Sequence, residues 1–186
     1  DWEILTPAPG DTPKINGPTI YGARPGKQFI YRIPCQGKRP IAFEAEGLPE
    51  GLHLDAEKGI ITGLTPVEMG TYPVTFRAKN SAGSDERPFK LVVGEKIALT
   101  PPMGWNSWGG HMLLVNDEVM SAATDLIVNE GLADVGFQYV SIDDCWMRID
   151  PAEFELRREK FEQNMPGYPF EQVIGEVRDE QGRILP

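Results

Sequence analysis

Residues 139–146 read YVSIDDCW, an apolar run that passes directly into two adjacent carboxylates. A short run rich in aromatic and β-branched residues is typical of a strand. Residues 103–106 (MGWN) form a second, earlier strand candidate. With a helix between them, the two runs give strand, helix and strand within about 40 residues, which predicts one unit of a parallel α/β sheet.

The intervening helix is predicted from its cap and from its spacing. Asn116 or Asp117 can cap its first turn, where acidic residues also suit the helix dipole. Apolar residues then recur at near-helical spacing over 119–132. Gly136 is the predicted end, because glycine readily adopts the left-handed conformation that closes a helix.

The first 96 residues show another pattern, with proline and glycine every few positions. Apolar and polar residues alternate over 28–33, 72–77 and 89–93, as in half-buried strands. Turn residues separate these runs: 48–52 (LPEGL) places proline before a glycine, and 80–83 (NSAG) precedes the last run. Short strands with turns at this spacing predict a β-sandwich.

Charge is distributed unevenly along the chain. Residues 1–96 carry 12 acidic and 12 basic side chains, and 97–186 carry 16 acidic and 6 basic, so the net charge of −10 lies in the second half. An acidic surface repels phosphate backbones, so nucleic acid is excluded as the expected partner. No run of about 18 apolar residues occurs, and no membrane span is predicted.

The two cysteines, Cys35 and Cys145, stand one in each half. A bridge between them would tie the halves together, and two free, buried thiols are the alternative. Neither cysteine lies in a CxxC pair, and His53 and His111 have no motif around them. No metal site is therefore predicted.

Asp143 and Asp144 have the chemistry of a saccharide subsite. Carboxyl ends of strands form the active face of a parallel α/β barrel, and carboxylates accept strong hydrogen bonds from hydroxyls. Trp146 beside the pair and Trp108 just past the first strand offer apolar faces to a sugar ring, whereas Trp105 is expected in the core. A solvated loop start or a helix cap also explains the two aspartates, and a divalent cation would need more oxygen ligands than the sequence presents nearby.

Two motifs and their spacing resemble one enzyme family. Residues 100–108 (TPPMGWNSW) and 136–146 (GFQYVSIDDCW) are similar to the opening of glycoside hydrolase family 27, the α-galactosidases and α-N-acetylgalactosaminidases. Residues 178–183 (RDEQGR) resemble the turn that precedes that family's third strand. The resemblance runs over 99–186 and implies that 97–186 are the first part of an α/β (TIM) barrel, which the remainder of the barrel completes.

This resemblance implies that Asp143 and Asp144 hold the C4 and C6 hydroxyls of the sugar and that Trp108 walls the pocket. The family's nucleophile and acid/base follow later strands, so no catalytic residue is expected within this chain, which by itself is expected to be inactive. The implied reaction of the parent protein is retaining hydrolysis of terminal α-galactosides in galactose-containing glycans, without metal or organic cofactor. Relatives that prefer arabinopyranose carry a bulkier acid at the second aspartate, so Asp144 favours galactose. Family members commonly place cysteines after the first motif, but 109–114 has none, so Cys145 lacks that partner.

Residues 47–55, 59–63 and 70–83 resemble the Ig-like repeats of bacterial cell-surface and carbohydrate-active proteins. This resemblance implies an all-β Ig-like sandwich over 1–96 and a secreted, periplasmic or cell-surface bacterial protein. The junction at 94–101 is short, so the two domains are expected to be fixed closely together.

Two rival functions remain at this point. The second hypothesis, beside the enzyme, is a non-catalytic carbohydrate-binding or scaffold protein that pairs an Ig-like module with a truncated barrel. The Ig-like half itself is a third candidate for glycan binding, although the strand spacing of its aromatic residues favours a core. These residues are Tyr21, Phe29, Tyr31, Phe43, Tyr72 and Phe76.

Overall fold

The computed structural model of the chain describes residues 9–144 and 146–184. The strands are β1 (Lys14–Ile15), β2 (Ile20–Ala23), β3 (Gln28–Arg32), β4 (Cys35–Gln36), β5 (Ala42–Glu46), β6 (Leu52–Asp55), β7 (Ile60–Leu64), β8 (Gly70–Asn80), β9 (Gly83–Val93), β10 (Gly104–Asn106) and β11 (Tyr139–Ser141). The α-helices are α1 (Trp108–His111), α2 (Asp117–Asn129) and α3 (Pro151–Asn164). Short 3₁₀ turns occupy Met112–Leu114, Leu132–Val135 and Phe170–Gln172.

The first half of the chain is the predicted Ig-like sandwich. β2, β9, β8 and β5 form a four-stranded sheet in that order, and β3, β7 and β6 form a three-stranded sheet. β2 pairs with β9 in parallel, and the other pairs in these two sheets are antiparallel. β1 and β4 add a short antiparallel pair. Most strand neighbours in such a fold are antiparallel, with one face of each sheet turned to the core.

Aromatic rings from both sheets fill the core of the sandwich. On β3, Phe29 and Tyr31 are buried while the alternating residues are more exposed, as the period of two requires. The Tyr31 ring centre lies 6.0 Å from that of Phe76 and 5.1 Å from that of Phe89, both on the opposite sheet. Aromatic pairs at this separation stabilise a core beyond the area they bury.

The six aromatic residues considered for glycan binding all belong to this core. Four are buried, namely Phe29, Tyr31, Phe43 and Phe76, and Tyr21 and Tyr72 pack against them from partly buried positions. Their faces are therefore occupied by other core side chains. The core interpretation of the strand spacing is confirmed.

The predicted turn at 80–83 closes the longest hairpin, between β8 and β9. Asn80 pairs with Gly83, and the Asn80 Oδ1 atom accepts hydrogen bonds from the backbone N–H groups of Ala82 (2.8 Å) and Gly83 (3.1 Å). Asparagine is favoured in turns because its side chain can bond to backbone two or three residues on. This local chemistry fixes the register of the hairpin.

The second half contains the predicted strand, helix and strand. β10 and β11 form a two-stranded sheet. The Gln138 N–H donates to Met103 O (2.9 Å), and the Ser107 N–H donates to Ser141 O (3.1 Å), so both strands run in the same direction. A Cβ atom at Gly104 would lie 2.0 Å from Tyr139 O, so the strands approach too closely there for any larger residue. This parallel unit fits the start of an α/β barrel, and closure of a barrel remains a prediction.

Helix α2 is capped as predicted but ends earlier. Asn116 Oδ1 accepts a hydrogen bond from the Val119 N–H (2.9 Å), so Asn116 is the capping residue. The helix ends at Asn129 rather than near Gly136, because Gly131 already adopts a left-handed conformation (φ 74°). Gly136 (φ 107°) instead closes the 3₁₀ turn that follows.

Helix α3 organises a small second core. The Asp150 carboxylate caps it by accepting hydrogen bonds from the N–H groups of Ala152 (2.8 Å) and Glu153 (3.2 Å). Phe154 on the helix and Phe170 beyond it are buried against each other, with ring centres 5.2 Å apart.

The predicted turn at 178–183 is also present, because Asp179 Oδ1 accepts hydrogen bonds from two backbone N–H groups of that turn.

The chain divides into two compact units. One holds the described residues up to Gly104 together with Leu126–Tyr139, and the other holds Trp105–Asp125 with the described residues from Val140 onward. Part of the predicted barrel segment thus belongs to the same compact unit as the Ig-like sandwich. Among the residues described, no helix has both the length and the apolar character that crossing a membrane requires.

Candidate active site segment

The two motifs found in the sequence meet at Asp143. Its Oδ2 atom accepts a hydrogen bond from the Asn106 amide (2.8 Å), and its Oδ1 atom accepts one from the Asp144 backbone N–H (2.8 Å). Asn106 ends β10 and Asp143 follows β11, so the contact joins the carboxyl ends of two parallel strands. This edge is where α/β barrels carry their functional groups.

Ser107 holds the backbone of Asp143 in place through a hydrogen bond. The residue is fully buried, with 0% of its surface exposed. Its Oγ atom accepts a hydrogen bond from the Asp143 N–H (3.0 Å), and its own N–H donates to Ser141 O (3.1 Å). The buried hydroxyl and the backbone N–H of Ser107 together fix the end of the strand, and they therefore fix the position of the Asp143 backbone.

Asn106 links the carboxylate to the predicted aromatic wall. While its Nδ2 atom donates to Asp143, its Oδ1 atom accepts a hydrogen bond from the Trp108 N–H (2.9 Å). Trp108 starts α1 and is 41% exposed. Trp105, expected in the core, is partly buried, and its ring centre lies 5.8 Å from that of His111. One amide side chain therefore ties the backbone at Trp108 to Asp143.

The hydrogen bonds keep Asp143 charged. Its pKa lies below the usual value of a carboxyl group, first because the Asp144 N–H donates to it and second because the Asn106 amide does. An ionised carboxylate offers about four acceptor positions, and these two donors leave others for the hydroxyls of a ligand. Asp143 is thus a fixed acceptor that needs no proton transfer to bind a polyol.

Asp144 is exposed, and Trp146 is partly buried. Cys145, which stands between them, lies outside the described residues. Cys35 is a free, buried thiol, so the bridge that would tie the two halves together does not form. Within residues 9–144 and 146–184, no three His, Cys, Asp or Glu side chains gather in a way that could hold a metal ion.

Asn106 and Ser107 were not predicted from the sequence as residues of the site. Both lie inside the motif at 100–108, in which only the two tryptophans were considered as sugar contacts or core residues. Their position at the end of the first predicted strand was the available signal. Polar residues at the end of one strand of a parallel sheet lie at the same edge as the residues that follow the neighbouring strand. Pairing the ends of the two predicted strands would have placed both residues beside Asp143.

Comparison with known proteins finds a matching family model in each half of the chain. Residues 12–94 match the family model described as Putative Ig domain. Residues 100–162 match the family model described as Alpha galactosidase A. Both resemblances predicted from the sequence are therefore confirmed.

Individual relatives match different shares of the chain. An alpha-galactosidase of Oryza sativa subsp. japonica is 51% identical over 90 residues, which cover 47% of this chain and 22% of that protein. The solved structure of a "putative alpha-galactosidase" from Bacteroides fragilis has a TM-score of 0.73 and 38% identity, covering 78% of this chain and 31% of its own. A "putative alpha-galactosidase/melibiase" from the same organism has a TM-score of 0.71 and 33% identity, covering 92% of this chain and 40% of its own. The chain thus spans about one fifth of the length of the rice relative and less than half of the length of either structure.

Proposed function

We propose that the full-length protein is a retaining glycoside hydrolase that removes terminal α-galactose, and that this segment binds the sugar without breaking the bond. The observation that carries the proposal is the hydrogen bond between Asn106 and Asp143. It joins the two family motifs and fixes an ionised carboxylate at the carboxyl end of β11. The match of residues 100–162 to the family model described as Alpha galactosidase A and the likeness to the rice alpha-galactosidase support the reaction class.

In this proposal Asp143 and Asp144 bind and orient the sugar. The two carboxylates accept hydrogen bonds from the C4 and C6 hydroxyls of the sugar, which selects the orientation of those hydroxyls and fixes the anomeric carbon in space. The exposed part of Trp108 packs against the C–H face of the ring. The nucleophile and the acid/base come from the remainder of the barrel, so the segment alone does not hydrolyse glycosides.

The size of Asp144 sets the preference for galactose over arabinopyranose in this proposal. The two sugars differ by the hydroxymethyl group on C5, and a longer acid at 144 would occupy the space of that group. A difference of this size in a pocket is worth roughly 10- to 200-fold in specificity. Asp144→Glu should therefore shift the ratio of kcat/KM from the α-galactoside towards the β-L-arabinopyranoside.

The test uses the full-length protein and a panel of aryl glycosides: α-galactoside, α-N-acetylgalactosaminide, β-L-arabinopyranoside and α-glucoside. Asp144→Asn removes a charged acceptor and should lower kcat/KM for the α-galactoside roughly 10- to 150-fold, mainly through KM. Asp125→Asn makes the same chemical change at an exposed position of α2 and should leave kcat/KM within about twofold. Absence of cleavage of every glycoside by the folded protein would overturn the enzymatic proposal and favour a carbohydrate-binding role.

A further inference from the structure

The Ig-like sandwich and the segment Leu126–Tyr139 form one compact unit. We propose that the Ig-like domain is a docked, stabilising part of this protein rather than a spacer, and that Asp134 is the centre of the docking surface. Segment Leu126–Tyr139 gains its order from that contact. This inference is independent of the proposed reaction.

Asp134 binds two arginines of the sandwich through one oxygen. Its Oδ1 atom lies 2.5 Å from Arg32 Nη2 and 2.9 Å from Arg39 Nη2. The Asp134 side chain is only 25% exposed, and those of Arg32 and Arg39 are 31% and 43% exposed. Exposed ion pairs contribute little, but a shared carboxylate that is largely withdrawn from water is costly to remove, because two cations then lose their counter-charge.

Hydrogen bonds between neutral groups accompany this ion-pair cluster and specify the orientation of the segment on the sandwich. Asn16 Nδ2 donates to the Asp134 carbonyl (3.0 Å), and Gln138 Nε2 donates to the Arg32 carbonyl (2.6 Å). The hydroxyls of Tyr21 and Tyr139 lie 2.8 Å apart. Because side chains from each partner reach the backbone of the other, the contact specifies one orientation and not merely attraction between charges.

Two close approaches of backbone show that the surface is packed. A Cβ atom at Gly136 would lie 3.3 Å from the Gly17 Cα atom. A Cβ atom at Gly22 would lie 2.6 Å from the carbonyl oxygens of both Lys96 and Ile97, so the junction runs directly over β2. A flexible tether would not require glycine beneath it, and the junction is therefore part of the packed unit.

The local charges suit this pairing. Segment Leu126–Tyr139 contains two acidic residues, Glu130 and Asp134, and no basic residue, so it presents negative charge to Arg32 and Arg39. Among the described residues, Arg32 Nη1 is the buried side-chain nitrogen that lacks a hydrogen-bond partner. Loss of Asp134 would thus leave the Arg32 guanidinium with still fewer partners, which strengthens the expected penalty.

The experiment measures hydrogen exchange by mass spectrometry on the full-length protein and on four variants: Asp134→Ala, Arg39→Met, the double variant, and Asp125→Asn as the exposed control. Asp134→Ala should accelerate exchange in peptides from 126–139 about 10- to 100-fold, while strands β8 and β9 keep their protection. Arg39→Met should add little to Asp134→Ala, because both remove the same contact. Asp125→Asn should change nothing beyond about twofold.

Ionic strength gives a second readout that a general loss of fold would not mimic. Raising salt from about 0.05 M to 1 M shortens the screening length and should accelerate exchange of 126–139 in the wild type but not in Asp134→Ala. If Asp134→Ala unfolds the whole protein, the milder Asp134→Asn takes its place in the same comparison. Unchanged protection of 126–139 in the folded variants, or additive effects of Asp134→Ala and Arg39→Met, would overturn the proposal.

Discussion

Replacement of Ser107 by alanine tests how the site is built. Ser107 is fully buried, and its Oγ atom accepts the Asp143 N–H at 3.0 Å. Without the hydroxyl, that backbone donor loses its partner inside the protein, which costs about 1–3 kcal/mol. Since about 1.4 kcal/mol corresponds to a factor of ten, the local opening equilibrium at the end of β11 should rise roughly 5- to 150-fold.

The assay is hydrogen exchange of the Asp143 amide in the full-length protein, combined with steady-state hydrolysis of an aryl α-galactoside. Ser107→Ala should speed exchange of that amide by the stated factor and raise KM, because the carboxylate loses its fixed position. Ser121→Ala makes the same change at an exposed position of α2 and should alter neither quantity beyond about twofold. Equal protection of the Asp143 amide in Ser107→Ala and Ser121→Ala would refute the positioning role of Ser107.

Three further predictions concern the fold and its core. Leu91→Ala, at a core position with 1% exposure, should lower the free energy of unfolding in urea by about 2–5 kcal/mol, whereas Leu64→Ala at an exposed position should cost far less. Gly104→Ala forces a Cβ atom to 2.0 Å from the backbone oxygen of the paired strand and should lower the melting temperature and abolish hydrolysis; Gly109→Ala, which has open space, should do neither. Burial raises the pKa of the Cys35 thiol to about 11. The unfolded thiol ionises first, at a pH of about 8.5, so the free energy of unfolding should fall as the pH rises from there towards 11. Urea unfolding at pH 8 and 10.5 checks this, and a decline just as steep in Cys35→Ala would contradict it.

Much of the fold could be predicted from the sequence because its strands, turns and helix caps are specified by residues that are close together in the chain. The alternation at Phe29 and Tyr31, the turn at Asn80 and the cap at Asn116 each depend on residues within a few positions of one another. The end of α2 was predicted wrongly for the same reason: Gly131 and Gly136 give equal local signals, and only the structure shows that the first one ends the helix.

Local patterns in the sequence are enough to predict the two classes of segment, the strand that leads into Asp143 and Asp144, and the resemblance to α-galactosidases. The side chains that hold the end of that strand are seen only in the folded chain, because Asn106 and Asp143 are 37 residues apart and meet only when β10 and β11 pair. Folding likewise brings Asp134 to Arg32 and Arg39, about a hundred positions away, which no periodicity encodes. Spacing along a chain records the period of a helix or strand, whereas contacts between distant residues arise from the packing of whole elements.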